Sequence, residues 1–192
     1  MIDKIKQLRQ QTGVSLALCK KALAETEGDI DKAKELLRKW GQSLAGKRSG
    51  RVTDEGIIEP YIHANKKIGV LVDLRCETDF VARNNDFQEL AHNLALHVAA
   101  SNPLYIQAAD IPEKVIKKEE EIYREQIAKD KKPKELATKI IEGKLEKYKK
   151  EVCLLSQPYV KDDTKTIQDL INECIAKVGE NIIVNQFTRL EI

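Results

Sequence analysis

The chain has 192 residues, 33% of them charged, with 33 Lys and Arg set against 31 Asp and Glu for a net charge of +2. That near balance argues against a protein whose main task is coating nucleic acid, which needs a basic excess. No apolar run approaches the roughly 20 residues of a membrane span. The opening MIDKIKQLRQQ also lacks the apolar stretch of a signal peptide. Cys19, Cys76, Cys153 and Cys174 stand far apart, with no C-x-x-C pair and no His at ligand spacing. They read as reduced, mostly buried thiols of a cytosolic protein rather than as a zinc site.

The first forty residues predict three short helices. Ile2, Ile5 and Leu8 recur at helical spacing until Gly13 breaks the pattern. Ser15 is placed to cap a second helix carrying Leu16, Cys19 and Leu23, which Gly28 ends. Asp29 caps a third, with Ile30, Ala33, Leu36, Leu37 and Trp40 on one stripe and Gly41 closing it. These helices make a module over residues 1–45, near the lower size limit for independent folding. GQSLAGKRSGRVTDEG follows, rich in Gly and Ser and carrying Lys47, Arg48 and Arg51, and predicts a linker centred on 46–54.

A different pattern then starts. Residues 57–63 and 68–76 read as strands joined by ANKK. In the second, Ile68, Val70, Val72, Leu74 and Cys76 share one face while Asp73 and Arg75 take the other. Pro60 suits an edge strand. Asp86 with Glu89 resembles a capping box that opens a helix face of Phe87, Leu90, Leu94 and Val98, and Pro103 stops that helix. Between residues 112 and 150 Lys and Glu dominate, and Pro133 divides two amphipathic helices able to pair. EVCLLSQPYV then predicts a strand, Ile167 to Val178 a helix, and NIIVNQFTRL a terminal strand after Gly179. The result is an α+β core over 55–192, an antiparallel three-stranded sheet covered by helices on one face.

Enzyme signatures are missing: there is no phosphate-binding Gly loop, no dinucleotide fingerprint, no G-x-S-x-G and no H-E-x-x-H. His92 and His97 lie five apart on one predicted helix, off the spacing a shared metal prefers, and read as structural. His63 reads as part of a solvated turn. The Lys and Glu runs read as solvated helix faces. A basic set of Lys47, Arg48, Arg51, Lys66 and Lys67 leaves open an RNA-binding adaptor using the linker and the hairpin turn. Aromatic residues make up only 5% of the chain and form no stacking stripe, which weakens that alternative.

One stretch resists a purely structural reading. Residues 76–84, CETDFVARN, connect the end of a strand to the start of a helix, where polar residues are expected. Yet the segment holds Phe80, one of three phenylalanines in the chain, followed by Val81. Two readings stand side by side. Phe80 and Val81 either form the first turn of the next helix, tucked into the local core, or Phe80 is an exposed anchor on a rigid strand end with Asp79 beside it.

TDFVARN resembles the signature of the elongation factor Ts family. LRQQTGVSLALCKKALAETEGDIDKAKELLRKWG is similar to that family's three-helix ubiquitin-associated-type module, and GVLVDLRCETDFVARN and EGKLEKYKKEVCLLSQPYVKDD are similar to its main domain. The resemblance implies a guanine-nucleotide exchange factor for elongation factor Tu, with no catalytic side chain and no cofactor or metal of its own. It implies that Thr78, Asp79, Phe80 and Val81 enter the partner GTPase and disturb its magnesium site. Arg9, Leu16 and Lys20 of the N-terminal module, and Val160 and Lys161 after QPY, are implied as secondary contacts. Many members carry paired methionines where this chain has Leu16 and Ala17, which implies a smaller N-terminal contact. The single core half resembles short members that are homodimers binding two partner molecules, and the family implies a cytoplasmic setting.

Overall fold

The computed structural model describes residues 1–128 and 134–192. It groups residues 1–99 with 168–192 in one unit and residues 100–167 in a second.

The first unit opens with α1 (Ile2–Thr12), α2 (Leu16–Glu25) and α3 (Ile30–Arg48). Gly13 adopts the left-handed conformation that ends α1 and donates its N–H to Arg9 O. Ser15 Oγ accepts from Leu18 N, and Asp29 Oδ1 accepts from Asp31 N and Lys32 N, so both predicted caps are made. Leu8, Val14, Cys19, Ala22, Leu23, Ala33 and Leu37 form the buried centre, with Ile5, Leu18, Ile30, Leu36 and Trp40 around it. Full burial of Leu8 and Leu23 contributes about 1.5–3 kcal/mol each, which matters in so small a cluster.

Next come β1 (Glu55–Ile62) and β2 (Ile68–Cys76), antiparallel and in register from Glu55↔Cys76 to Ile62↔Gly69. Val70, Val72, Leu74 and Cys76 are buried on one face of β2, as the alternation predicts, and Pro60 sits on an edge strand. A single four-residue turn of helix, α4 (Asp79–Ala82), separates β2 from α5 (Asn85–Ser101). Phe87, Leu90, Leu94 and Val98 are buried along α5. The expected Asp86–Glu89 capping box is not formed. The helix begins at Asn85, and Asn84 Oδ1 accepts from Asp86 N, while the Asp86 carboxylate is drawn to Lys177 at 3.0 Å.

The second unit contains α6 (Glu113–Ala128) and α7 (Lys134–Val152). Lys144 Nζ reaches Gln126 Oε1 at 2.7 Å and lies over the Tyr123 ring, tying the two helices together. Pro133, expected to divide them, lies outside the described residues. The strand expected over EVCLLSQPYV is corrected: Glu151 and Val152 finish α7, residues 154–156 make a tight turn, and only β3 (Pro158–Tyr159) is extended. Burial explains the difference. Cys153 and Leu154 are buried in succession, which a half-buried strand cannot do. Gln157 Nε2 also folds back to Glu151 O at 2.6 Å. The partner of β3 is β4 (Asp162–Thr166), a wholly polar DDTKT segment without the alternation that marks a strand.

The chain returns to the first unit through α8 (Ile167–Val178) and β5 (Ile182–Glu191). β5 pairs antiparallel with β2, giving the sheet order β1-β2-β5. The fold is therefore α+β, with a three-stranded antiparallel sheet packed with helices. α8 also explains a second correction. Gly41 does not close α3, which runs on to Arg48 and takes in the first part of the expected 46–54 linker. A Cβ at Gly41 would lie 3.3 Å from Ala176 Cβ and 3.4 Å from Asn172 O, so the glycine serves close helix packing rather than termination.

Candidate functional site

The segment after β2 is built on its buried end. Cys76 is fully buried, its thiol donates to Thr78 O at 3.2 Å, and burial pushes its pKa up to about 11. Thr78 is extended and caps α4, its Oγ1 accepting from Val81 N at 3.4 Å. Backbone bonds from Ala82 N to Thr78 O and from Arg83 N to Asp79 O complete the turn.

That one turn combines parts of the two readings of Phe80 and Val81. Neighbouring side chains on a helix point about 100° apart, and here they part company. Val81 is 8% exposed and Ala82 6%, whereas Phe80 is 81% exposed. Val81 thus lies on the buried side of the turn and Phe80 on its exposed side. Asp79 points outward beside the ring, its carboxylate held 2.8 Å from the Arg83 guanidinium.

Two acidic side chains tie the turn to the start of β5. Glu180 accepts from Thr78 N at 3.0 Å and from Thr78 Oγ1 at 2.7 Å. Glu77 accepts from Asn181 N at 2.6 Å, and Arg51 and Arg48 approach it at 3.2 and 3.8 Å. Burial works against ionising Glu77, but the Asn181 N–H and the two guanidinium groups outweigh it and hold the carboxyl below its ordinary value. Hydrogen bonds to charged groups net about 1.5–3 kcal/mol each where water is largely excluded.

Glu77, Glu180 and Asn181 are supports that sequence reasoning missed. Glu180 lies 102 residues from Thr78, and no local pattern connects them. Arg48 and Arg51 were among the five cations of the RNA-binding alternative, and both are engaged by Glu77. Lys47, Lys66 and Lys67 remain exposed.

The other expected contacts divide into two sets. Arg9 and Leu16 come together on a shallow groove of about 600 Å³, lined with Ile2, Ile5 and Lys6, while Lys20 is exposed on α2 outside that lining. Val160 and Lys161 are exposed at the β3–β4 connection of the second unit. Of the histidines, His97 is fully buried, His92 meets Glu59 at 3.0 Å and His63 meets the Tyr61 hydroxyl at 3.2 Å. Among the described residues no group of three or more His, Cys, Asp and Glu is arranged to hold a metal ion, and no helix is long and apolar enough to cross a membrane.

The sequence model of the elongation factor TS family matches residues 6–192, taking in Arg9 and Leu16 of the groove, the Phe80 turn and the β3–β4 connection. The chain belongs to the elongation factor Ts family. Elongation factor Ts of Thermotoga petrophila is 58% identical to it over 191 residues, covering 100% of this chain and 95% of that protein. The same-named proteins of Thermotoga maritima and Moorella thermoacetica are 57% and 52% identical, covering 100% and 98% of this chain and 95% and 93% of their own lengths. Membership in the elongation factor Ts family places the chain among the factors of protein biosynthesis concerned with guanine-nucleotide exchange.

Proposed function

We propose that this chain is a cytoplasmic exchange factor that binds elongation factor Tu and promotes GDP release by inserting the Thr78–Val81 turn and disturbing the magnesium site. The observation that carries this reading is Phe80, a large ring 81% exposed on a turn whose next two side chains are buried. A soluble domain leaves such a ring in water at a cost, and an aromatic on a rigid rim is a frequent interface anchor.

An exchange factor needs no covalent chemistry. It binds the nucleotide-free GTPase better than the nucleotide-bound form, and linkage makes factor and nucleotide weaken each other equally. Burying one Phe contributes roughly 1.5–3 kcal/mol, whereas moving a population from about 1:99 to 99:1 takes about 5.5 kcal/mol of differential affinity. Phe80 therefore works with other contacts. Phe80 separates elements of the partner, and Asp79, oriented by Arg83, perturbs the surroundings of the partner's ion. Because Mg²⁺ bridges phosphate and protein oxygens, loosening its ligands loosens GDP. The groove with Arg9 and Leu16, together with Lys20, Val160 and Lys161, supplies the remaining affinity.

The active species is a homodimer that forms a two-to-two complex. Support comes from the outer sheet face, where Ile58, Ile62, Leu71 and Leu190 are all exposed. Cross-strand pairing sets Ile62 and Leu190 on either side of Gly69, so these side chains are neighbours rather than scattered. Light scattering is expected to give twice the 21.8 kDa of one chain, and a monomer mass at working concentration rejects the dimer.

Stopped-flow release of a fluorescent GDP from elongation factor Tu tests the central claim. Wild-type factor accelerates release, and Phe80→Ala slows it by about tenfold or more, the loss of one anchor contact, with the fold intact. Undiminished activity per folded molecule in that variant sinks the insertion mechanism.

A further inference from the structure

Phe80 cannot hold itself in place. Its ring is exposed, and α4 is a single turn, far shorter than the length at which a helix is stable alone. Something outside the turn fixes its direction. The last backbone pair of β2 with β5 is Cys76↔Ile182. Continuing that register sets Glu77 opposite Asn181 and Thr78 opposite Glu180. Beyond the ladder, side-chain carboxylates accept backbone N–H groups at both of these steps. Glu77 accepts from Asn181 N at 2.6 Å, and Glu180 accepts from Thr78 N at 3.0 Å.

The second oxygen of Glu180 accepts a hydrogen bond from the Thr78 hydroxyl at 2.7 Å. That bond fixes the hydroxyl so that its lone pair faces Val81 N, which caps α4. A continuous chain of contacts thus runs from Glu180 through the Thr78 hydroxyl and the Val81 amide to the turn that carries Phe80. On the other side, Arg51 holds Glu77 and accepts through its backbone O the Asn181 side-chain amide at 3.1 Å, so the Glu180–Asn181 peptide is itself anchored.

We propose that Glu180 is a positioning residue for nucleotide exchange: it aims Phe80 through Thr78, with Glu77 and Arg51 fixing the peptide from which Glu180 projects. This rests on the exchange reading above. A group aimed before contact avoids the ordering cost at contact, so losing Glu180 reduces the maximal effect of the factor more than its docking, which other surfaces supply.

The test is a double-mutant cycle read by stopped-flow release of fluorescent GDP from elongation factor Tu, with full-length factor varied up to saturation. Glu180→Ala is expected to lower the maximal release rate by about tenfold, the scale of a misplaced reacting group, with a smaller change in the half-saturating concentration. Glu180→Gln, which keeps one acceptor oxygen for Thr78, recovers part of that loss. In a Phe80→Ala background, Glu180→Ala costs less than about twofold, because no ring remains to be aimed. An equal loss in both backgrounds, or a changed half-saturation alone, overturns the positioning role. Should Glu180→Ala lose its circular dichroism signal at the assay temperature, Glu180→Gln replaces it in the cycle, keeping the side-chain shape while removing the charge, with a smaller loss of the same pattern expected. If Phe80→Ala alone leaves release unchanged, the exchange mechanism fails. If Phe80→Ala slows release and the Glu180 variants do not, only the positioning role fails.

Discussion

Phe80 and Val160 are both apolar side chains left in water on short connecting segments, and each follows or precedes a buried neighbour, Val81 in one case and Tyr159 in the other. The bonds beside them include both distant and local ones. The Phe80 turn is fastened by Glu180 across 102 residues of sequence and by Glu77 to Asn181 across 104. Beside the Val160 connection, Asp162 Oδ1 accepts from Thr164 N and Thr164 Oγ1 two residues away. Local bonds of that kind shape a turn without fixing it to the rest of a sheet. On the insertion proposed above, a side chain that enters a partner in one orientation gains from such long-range fastening, because it is ordered before contact.

The contrast is broken most directly by truncating both residues and reading GDP release over a range of factor concentrations. Beside the loss of about tenfold or more expected for Phe80→Ala, Val160→Ala keeps the maximal rate within about twofold and raises the half-saturating concentration by about threefold, since it removes little apolar area. A Val160→Ala variant that loses maximal rate instead would place both side chains in the same role.

A second experiment loosens the platform rather than the anchor. Gly56 lies opposite Arg75 near the end of β2, and a Cβ there would overlap the Leu74 carbonyl oxygen and sit 2.9 Å from Arg75 Cα. Both atoms are backbone, so no side chain can swing aside. Gly56→Ala is expected to destabilise the fold by about 1–3 kcal/mol, read as a lower denaturation midpoint, with a part of the exchange activity lost alongside. An unchanged midpoint means that β1 and β2 separate there without penalty and that the sheet end is too loose to hold Phe80 in one direction.

Features governed by near neighbours were legible in the chain alone. Ser15 and Asp29 cap the helices they precede because capping involves residues two or three positions on. The alternation from Ile68 to Cys76 reports a strand with one dry face, and the intrusion of Phe80 into a connecting segment marked the turn. Features governed by distant partners were not. Gly41 reads as a helix stop until Ala176 and Asn172 are brought against it. EVCLLSQPYV reads as a strand because its apolar content is high, but Cys153 and Leu154 are buried consecutively. Glu180 is one acid among many until the fold sets it on Thr78. Arg48 and Arg51 read as free cations of a linker until Glu77 claims both. The exposed ring was visible and its fastening was not, because the partners lie beyond the reach of any local pattern: 26 residues separate Arg51 from Glu77, and 102 separate Thr78 from Glu180.

The fastening carries a pH dependence, the smallest of these effects and the one that isolates a single carboxylate. Glu77 is pulled below its ordinary value of 4.5, burial opposing but the Asn181 amide and the Arg51 and Arg48 guanidinium groups prevailing. A carboxyl with a depressed folded-state pKa stabilises the fold fully above its unfolded-state pKa, and that contribution is lost as pH falls through the folded-state value. Acidification below about 4.5 is therefore expected to weaken the wild-type protein progressively. Glu77→Gln keeps an acceptor for Asn181 N but no charge for the arginines, and costs about 1 kcal/mol at pH 7. As pH falls below the folded-state value the two denaturation curves converge, because the wild-type side chain is then neutral as well. Asp73, held low chiefly by its hydrogen bond with Arg75, titrates in both proteins and cancels in the comparison. Equal midpoints at pH 7 would mark the Arg51–Glu77 contact as an ordinary surface pair. The charge on Glu77 would then add nothing to the fastening of the turn, which makes the Glu180 cycle the deciding measurement for how the ring is held.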